Sequence, residues 1–196
     1  MLLGRTLLVV KKQDKHPPRT PVLGIDIGRV IIGAADPTGH ADTSFLSSSD
    51  QDALETPPCE GAFETIAELV DAFEANVWLV SKCGPRIQNL TRRWLERQRF
   101  HELTGVPSGN VRFCARRPEK RDHCALIRAT HFVDDRLDVL RHLAGLVPHL
   151  YWFGHQTAES ERPPWAERTR DWGEAKRSIL ADLPGFLRGT RAARGS

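Results

Sequence analysis

At 196 residues and 22.0 kDa, with 40% hydrophobic and 27% charged residues, the chain has the size and composition of one globular domain with a core of its own. No apolar run reaches the ~18 residues of a membrane span, and Arg5 interrupts the first apolar stretch before a signal-peptide core can form, so the expected location is the cytoplasm, away from membranes. The net charge is only +3, but the balance is uneven: 22 arginines stand against 6 lysines, and only Lys82, Lys120 and Lys176 lie beyond the first 15 residues.

Residues 1–20 mix Leu and Val with Lys, Pro and Arg without a sustained period and read as a flexible basic leader, with an edge strand at most at Leu7–Val10. Val22–Ile27 is an apolar run of strand formers carrying one acid, Asp26, near its end, and Gly28 follows where the backbone would turn or approach something closely. Ala34–Ser49 reads as a hairpin or flap turning at Pro37–Gly39. Phe63, Ile66, Ala67, Val70 and Phe73 form one stripe of a helix from Gly61 to about Ala75.

Val77–Val80 is the next buried strand and delivers Ser81 and Lys82 to its end, with the two side chains pointing apart if extended geometry continues. A helix follows from Pro85 to about His101, with Ile87, Leu90 and Trp94 inward and Arg92, Arg93, Arg97 and Arg99 outward. Val111–Cys114 is a third strand, and Arg116–Lys120 a basic loop opening a short helix to about Arg128. His131–Asp134 is a fourth strand ending in Asp134 and Asp135, with a helix on Leu137, Leu140 and Leu143 behind it, and Leu150–Phe153 a fifth. A polar linker, a helix around Trp165–Leu183 and a Gly/Arg-rich end complete the chain. Strand and helix alternate throughout, which calls for a parallel sheet covered on both faces: a Rossmann-like α/β sandwich over residues 21–153, with 154–196 as an appended linker, helix and tail. Cys59, Cys83, Cys114 and Cys124 show no Cys-x-x-Cys pairing, so neither zinc nor a disulfide framework is expected.

In an open α/β sheet the carboxyl ends of the strands form the ligand crevice, which makes Asp26 a candidate nucleophile or metal ligand. Asp26, Ser81, Lys120 and the Asp134–Asp135 pair all fall at that edge. Their order, as Gly-Ile-Asp26-Ile-Gly-Arg-Val-Ile, Trp-Leu-Val-Ser81-Lys, Pro-Glu-Lys120 and His-Phe-Val-Asp134-Asp135-Arg, resembles the four motifs of the haloacid dehalogenase-like hydrolases, over about Val22–Phe153. The resemblance implies a Mg²⁺-dependent phosphatase in which Asp26 takes the phosphoryl group as an acyl phosphate. It further implies Asp26, the Gly28 carbonyl and one or both of Asp134 and Asp135 as metal ligands, and Lys120 and Ser81 on the transferring group. Lys82 and Arg29 are expected to contact substrate.

One departure stands out. Phosphatases of the resembled family carry a second Asp two residues after the nucleophile as general acid and base, and here that position is Gly28. Slow or specialised turnover, or a catalytically silent protein that binds a phosphorylated ligand or partner, are both open on this ground. The span between Asp26 and Ser81 is mostly consumed by the flap and the Gly61 helix, so no large cap domain is expected. The expected substrate is a phosphorylated small molecule or nucleotide, with nucleic acid less favoured. A ribonuclease H-like nuclease is a further alternative, since Leu23–Gly39 also resembles the opening strands of that fold, although it leaves Ser81 and Lys120 without a role. Oligomeric state is open.

Overall fold

The computed structural model describes residues 20–33, 45, 49–154 and 163–192, with side chains of the last helix described to Leu183. The expected leader, its edge strand and nearly all of the flap lie outside these residues. A six-stranded, all-parallel sheet is the centre of the molecule, in the order β3-β2-β1-β4-β5-β6. The strands are β1 (Leu23–Ile25), β2 (Val77–Lys82), β3 (Val111–Cys114), β4 (His131–Asp134), β5 (His149–Phe153) and β6 (Glu167–Thr169). The helices are α1 (Asp50–Glu55), α2 (Ala62–Ala72), α3 (Pro85–Arg97), α4 (Phe100–Thr104), α5 (Lys120–Ile127), α6 (Leu137–Leu143) and α7 (Trp172–Ala192), with a 3₁₀ turn at Arg117–Glu119 before α5.

Each inner strand is apolar on both faces because helices cover both. Leu23, Ile25, Leu79, Val111 and Val133 pack with Ile66 and Leu69 of α2, Leu90 and Trp94 of α3, and Trp172 and Ile179 of α7. Val80, Phe132, Leu150 and Trp152 point the other way, onto Cys124 of α5 and Leu140 and Leu143 of α6. This three-layer, doubly wound sheet is the architecture expected from the alternation of elements. At its middle, β1 is so closely overlaid that a Cβ on Gly24 would lie 2.3 Å from Cδ2 of Phe132 on β4. Glycine is what lets that ring fill the layer. No helix of the described residues is long and apolar enough to cross a membrane.

The structure departs from expectation in four places. Ser49 caps a short helix, α1, through its Oγ, which accepts from the Asp52 amide at 3.2 Å. The helix expected to run to Ala75 stops at Ala72, where Glu74 and Ala75 take left-handed φ values of 51° and 61°. The Pro85 helix ends at Arg97 rather than His101, because Arg99 at φ 54° breaks the ladder before α4 begins. The sheet also does not end at residue 153. Glu167–Thr169 adds to the edge of β5, and the last helix starts at Trp172, not Trp165.

The described part of Leu23–Gly39 does not continue as a second strand. After Asp26 the chain folds back on itself: the Ile31 and Ile32 amides donate to the Ile27 carbonyl at 2.9 and 3.0 Å, and the Arg29 amide to the Ile32 carbonyl at 2.8 Å. β1 pairs in parallel with β2 and β4 on its two sides. The nuclease alternative therefore loses its opening strands among the described residues.

Candidate functional site

The strand order reverses at β1, whose neighbours are β2 on one side and β4 on the other, and such a switch point leaves a crevice at the carboxyl ends of the strands. Asp26 leaves β1 into this crevice with its amide donating to the Val133 carbonyl at 2.9 Å, and Asp134 ends β4 next to it. Both side chains project toward the α5 face, and α5 supplies their counter-ion. Lys120 Nζ donates to Asp26 Oδ1 and to Asp134 Oδ2 at 2.7 Å each. The lysine is buried, as are both acids.

The electrostatics follow from this burial. Removal from water alone would push the Lys120 pKa down, but the carboxylates of Asp134 and Asp26 more than reverse that and hold it above the ordinary lysine value. Burial pushes Asp134 up to about 7 against the opposing pull of Lys120. Burial and the Asp26 charge push Asp135 up to about 6, with Arg29 opposing. Asp26, Asp134 and Asp135 present carboxylate oxygens that all lie within 4.8 Å of one another. Two of the three are thus shifted toward their protonated forms, chiefly because burial disfavours a charged carboxylate, with Lys120 and Arg29 opposing.

Every expected site residue sits at this edge. Asp26, Gly28, Arg29, Ser81, Lys82, Lys120 and Asp135 line one cavity of about 220 Å³, and Asp134 lies beneath Lys120. Ser81 is buried and Lys82 exposed, the alternation expected of consecutive strand residues. Arg29 adopts a left-handed φ of 61° and places its guanidinium 2.5 Å from Asp135 Oδ2, so it is a partner of the acid cluster as well as part of the cavity wall. Gly28 differs from expectation: its φ is not left-handed, and a Cβ there would meet nothing within 4 Å. Neither the turn nor a close approach requires glycine at this position.

Other lining residues were not foreseen. Phe45, Ile32 and Ile87 form an apolar wall, and Arg117 and Arg136 add charge. Arg136 had a signal, since it directly follows the acid pair. Phe45 and Ile87 had none, because a residue reaches a cavity through the packing of its element, not through its own type. Cys83 also lines the cavity, but burial and the Asp26 charge push its thiol up to about 11, so it stays protonated near neutral pH. Among the described residues all four cysteines are free and buried.

Fold and site together define an α/β protein with an acid–lysine cluster at the open edge of a parallel sheet. No protein-family model matches the chain, and neither does any curated protein. Among solved structures the chain is similar to a haloacid dehalogenase-like family hydrolase from Xanthomonas campestris, with a TM-score of 0.49 and 14% identity over 70% of this chain. The chain spans 61% of the length of that structure. The α/β architecture stands on the sheet order of the chain itself.

Proposed function

We propose that the chain is a hydrolase of phosphate monoesters that works through an acyl phosphate on Asp26. The observation that carries this reading is the bridge of Lys120 between Asp26 and Asp134, at 2.7 Å to each, at the mouth of a cavity on the switch point of the sheet. One Asp26 oxygen attacks phosphorus, the bond to the ester oxygen breaks, and the leaving alkoxide takes a proton. Water then attacks the same phosphorus and restores the carboxylate. Lys120 holds Asp26 in place and offers its positive charge to the equatorial oxygens, while Ser81 donates its hydroxyl to one of them.

The donor set fits Mg²⁺: it is all oxygen, and three acids bring carboxylate oxygens within 4.8 Å of one another. Asp26, the Gly28 carbonyl, Asp135 and Asp134 would hold it, and it would supply the charge that lets a phosphate dianion approach a carboxylate. Protonation of the leaving group is the weak point. With no side chain at Gly28 the proton must come from another group or from water, so turnover favours esters whose leaving groups depart as stable anions.

The same open space at Gly28 favours a second reading, in which the site binds a phosphorylated ligand without turning it over. Phosphate release from an aryl phosphate decides between them, measured with Mg²⁺ and with chelator for the wild type and Asp26→Asn. Metal-dependent release that disappears in the variant is expected. Release that survives Asp26→Asn would overturn the nucleophile assignment, and binding without release would leave the silent reading.

A further inference from the structure

Lys82 stands apart from the other cations of the cavity. Arg29, Lys82, Arg117, Lys120 and Arg136 all line it, against the carboxylates of Asp26 and Asp135. Four of these five are committed: Arg29 to Asp135, Lys120 to Asp26 and Asp134, and both Arg117 and Arg136 to Asp138. Lys82 is exposed and makes no ion pair among the described residues. Strand alternation explains its position. Val77, Leu79 and Ser81 face α3, so Trp78, Val80 and Lys82 face the side of the sheet from which α5 and its preceding 3₁₀ turn, with Arg117, approach. The cavity thus has a cationic side around Lys82 and an apolar one at Phe45, Ile32 and Ile87.

A phosphoryl group seated at Asp26, Ser81 and Lys120 would leave the Lys82 charge unanswered among the described residues. Arg117 is loosely held as well, with its Nε 3.9 Å from Asp138 Oδ2. We infer that Lys82, with Arg117 on the same side, receives a second anionic group of the substrate, so that the site selects compact phosphate monoesters carrying a carboxylate or a second phosphate. This rests on the phosphomonoester reading of the Asp26 end. Compactness follows from the volume of about 220 Å³, below the ~300–1,000 Å³ usual for small-molecule pockets.

Equilibrium binding to the Asp26→Asn protein, with Mg²⁺ present, tests this without depending on turnover. Glycerol 3-phosphate and 3-phosphoglycerate differ only by a hydroxymethyl group against a carboxylate. Fructose 6-phosphate and fructose 1,6-bisphosphate differ by a second phosphate, so the two pairs tell which anion is taken. The doubly anionic member of at least one pair should bind about tenfold more tightly, the strength of a hydrogen-bonded charge contact. Lys82→Ala should bring the two within about twofold, and Lys82→Arg should keep the preference. Equal affinities in both pairs, a preference that survives Lys82→Ala, or no binding of any of the four would each overturn the inference. Aryl phosphate turnover is scored separately. Turnover with equal affinities keeps the hydrolase and removes the second anion site, whereas a preference without turnover keeps the anion site and leaves a binding protein.

Discussion

Replacing Lys120 with methionine removes the one buried cation between Asp26 and Asp134 while keeping most of the side-chain volume. At an effective dielectric constant near 20, each 2.7 Å contact has a gross Coulomb energy of roughly 6 kcal/mol. Desolvation of the buried ions offsets most of this, and removing one partner of a buried pair typically costs about 3–5 kcal/mol because a charge is left unpaired. In the metal-free protein at pH 8, Lys120→Met should therefore lose about 3–5 kcal/mol in urea unfolding. At pH 5.5 the loss should be clearly smaller. Asp134, already pushed up to about 7 by burial, is then mostly protonated, and a neutral carboxyl tolerates the missing ammonium. A loss of the same size at both pH values, or one below about 1 kcal/mol at pH 8, would refute the view that Lys120 is held by charge and not by packing.

Other perturbations are expected to act as follows. Asp134 and Asp135 have folded pKa values of about 7 and about 6, above the ~3.9 of an unfolded Asp, so their protons stabilise the folded state at low pH and that stability is lost as pH rises. The metal-free protein should thus become less stable between about pH 4 and pH 7, and Mg²⁺ should raise the melting temperature more at pH 8 than at pH 5.5; equal shifts at both would count against the three-acid metal site. Gly28→Asp should fit without strain, since a Cβ there meets nothing within 4 Å, and should raise turnover of alkyl phosphates by about 100-fold or more over the wild type while aryl phosphates change little. An equal gain for both ester types would show that the missing acid does not limit the reaction. Gly24→Ala should destabilise by about 1–3 kcal/mol because its Cβ meets the Phe132 ring, and Phe132→Leu in the same chain should recover part of the loss; additive effects of the two changes in urea titrations would show that they do not share the space.

The parts of this structure that sequence reveals are those whose residue type and position carry one physical message. Asp26 and Asp134 end runs of buried strand formers, where an acid has no packing reason to be, and both reach the same edge because the strands are parallel. Lys120 is one of only three lysines beyond the first 15 residues and opens a helix, so its convergence with the acids was readable 94 residues from Asp26. β6 was not readable: Glu-Arg-Thr has neither an apolar run nor alternation, and it is a strand only because β5 offers it an edge. The Ser49 cap with Asp52 was a local signal for α1, but the hydroxyl-rich segment before it masked the boundary. The Arg29 to Asp135 contact depends on a left-handed residue and a partner just beyond the end of β4, 106 residues on in the chain, and no pattern in the chain announces either.

The switch point also dictates when the site can exist during folding. β1 is three residues long and central, and one of its two neighbours, β4, arrives late in the chain: just before both strands, Val22 bonds through its amide to Thr130 Oγ1, 108 residues away. A chain emerging from synthesis carries Asp26 early yet has no Asp134, Asp135 or Lys120 to place beside it until most of its length is made. Such non-local pairing slows folding, since loop-closure entropy must be overcome before the contacts form. A chain made only as far as β2 therefore shows an isolated acid on a strand that can be paired on one side alone, and the acid–lysine cluster is complete only when β4 closes on β1.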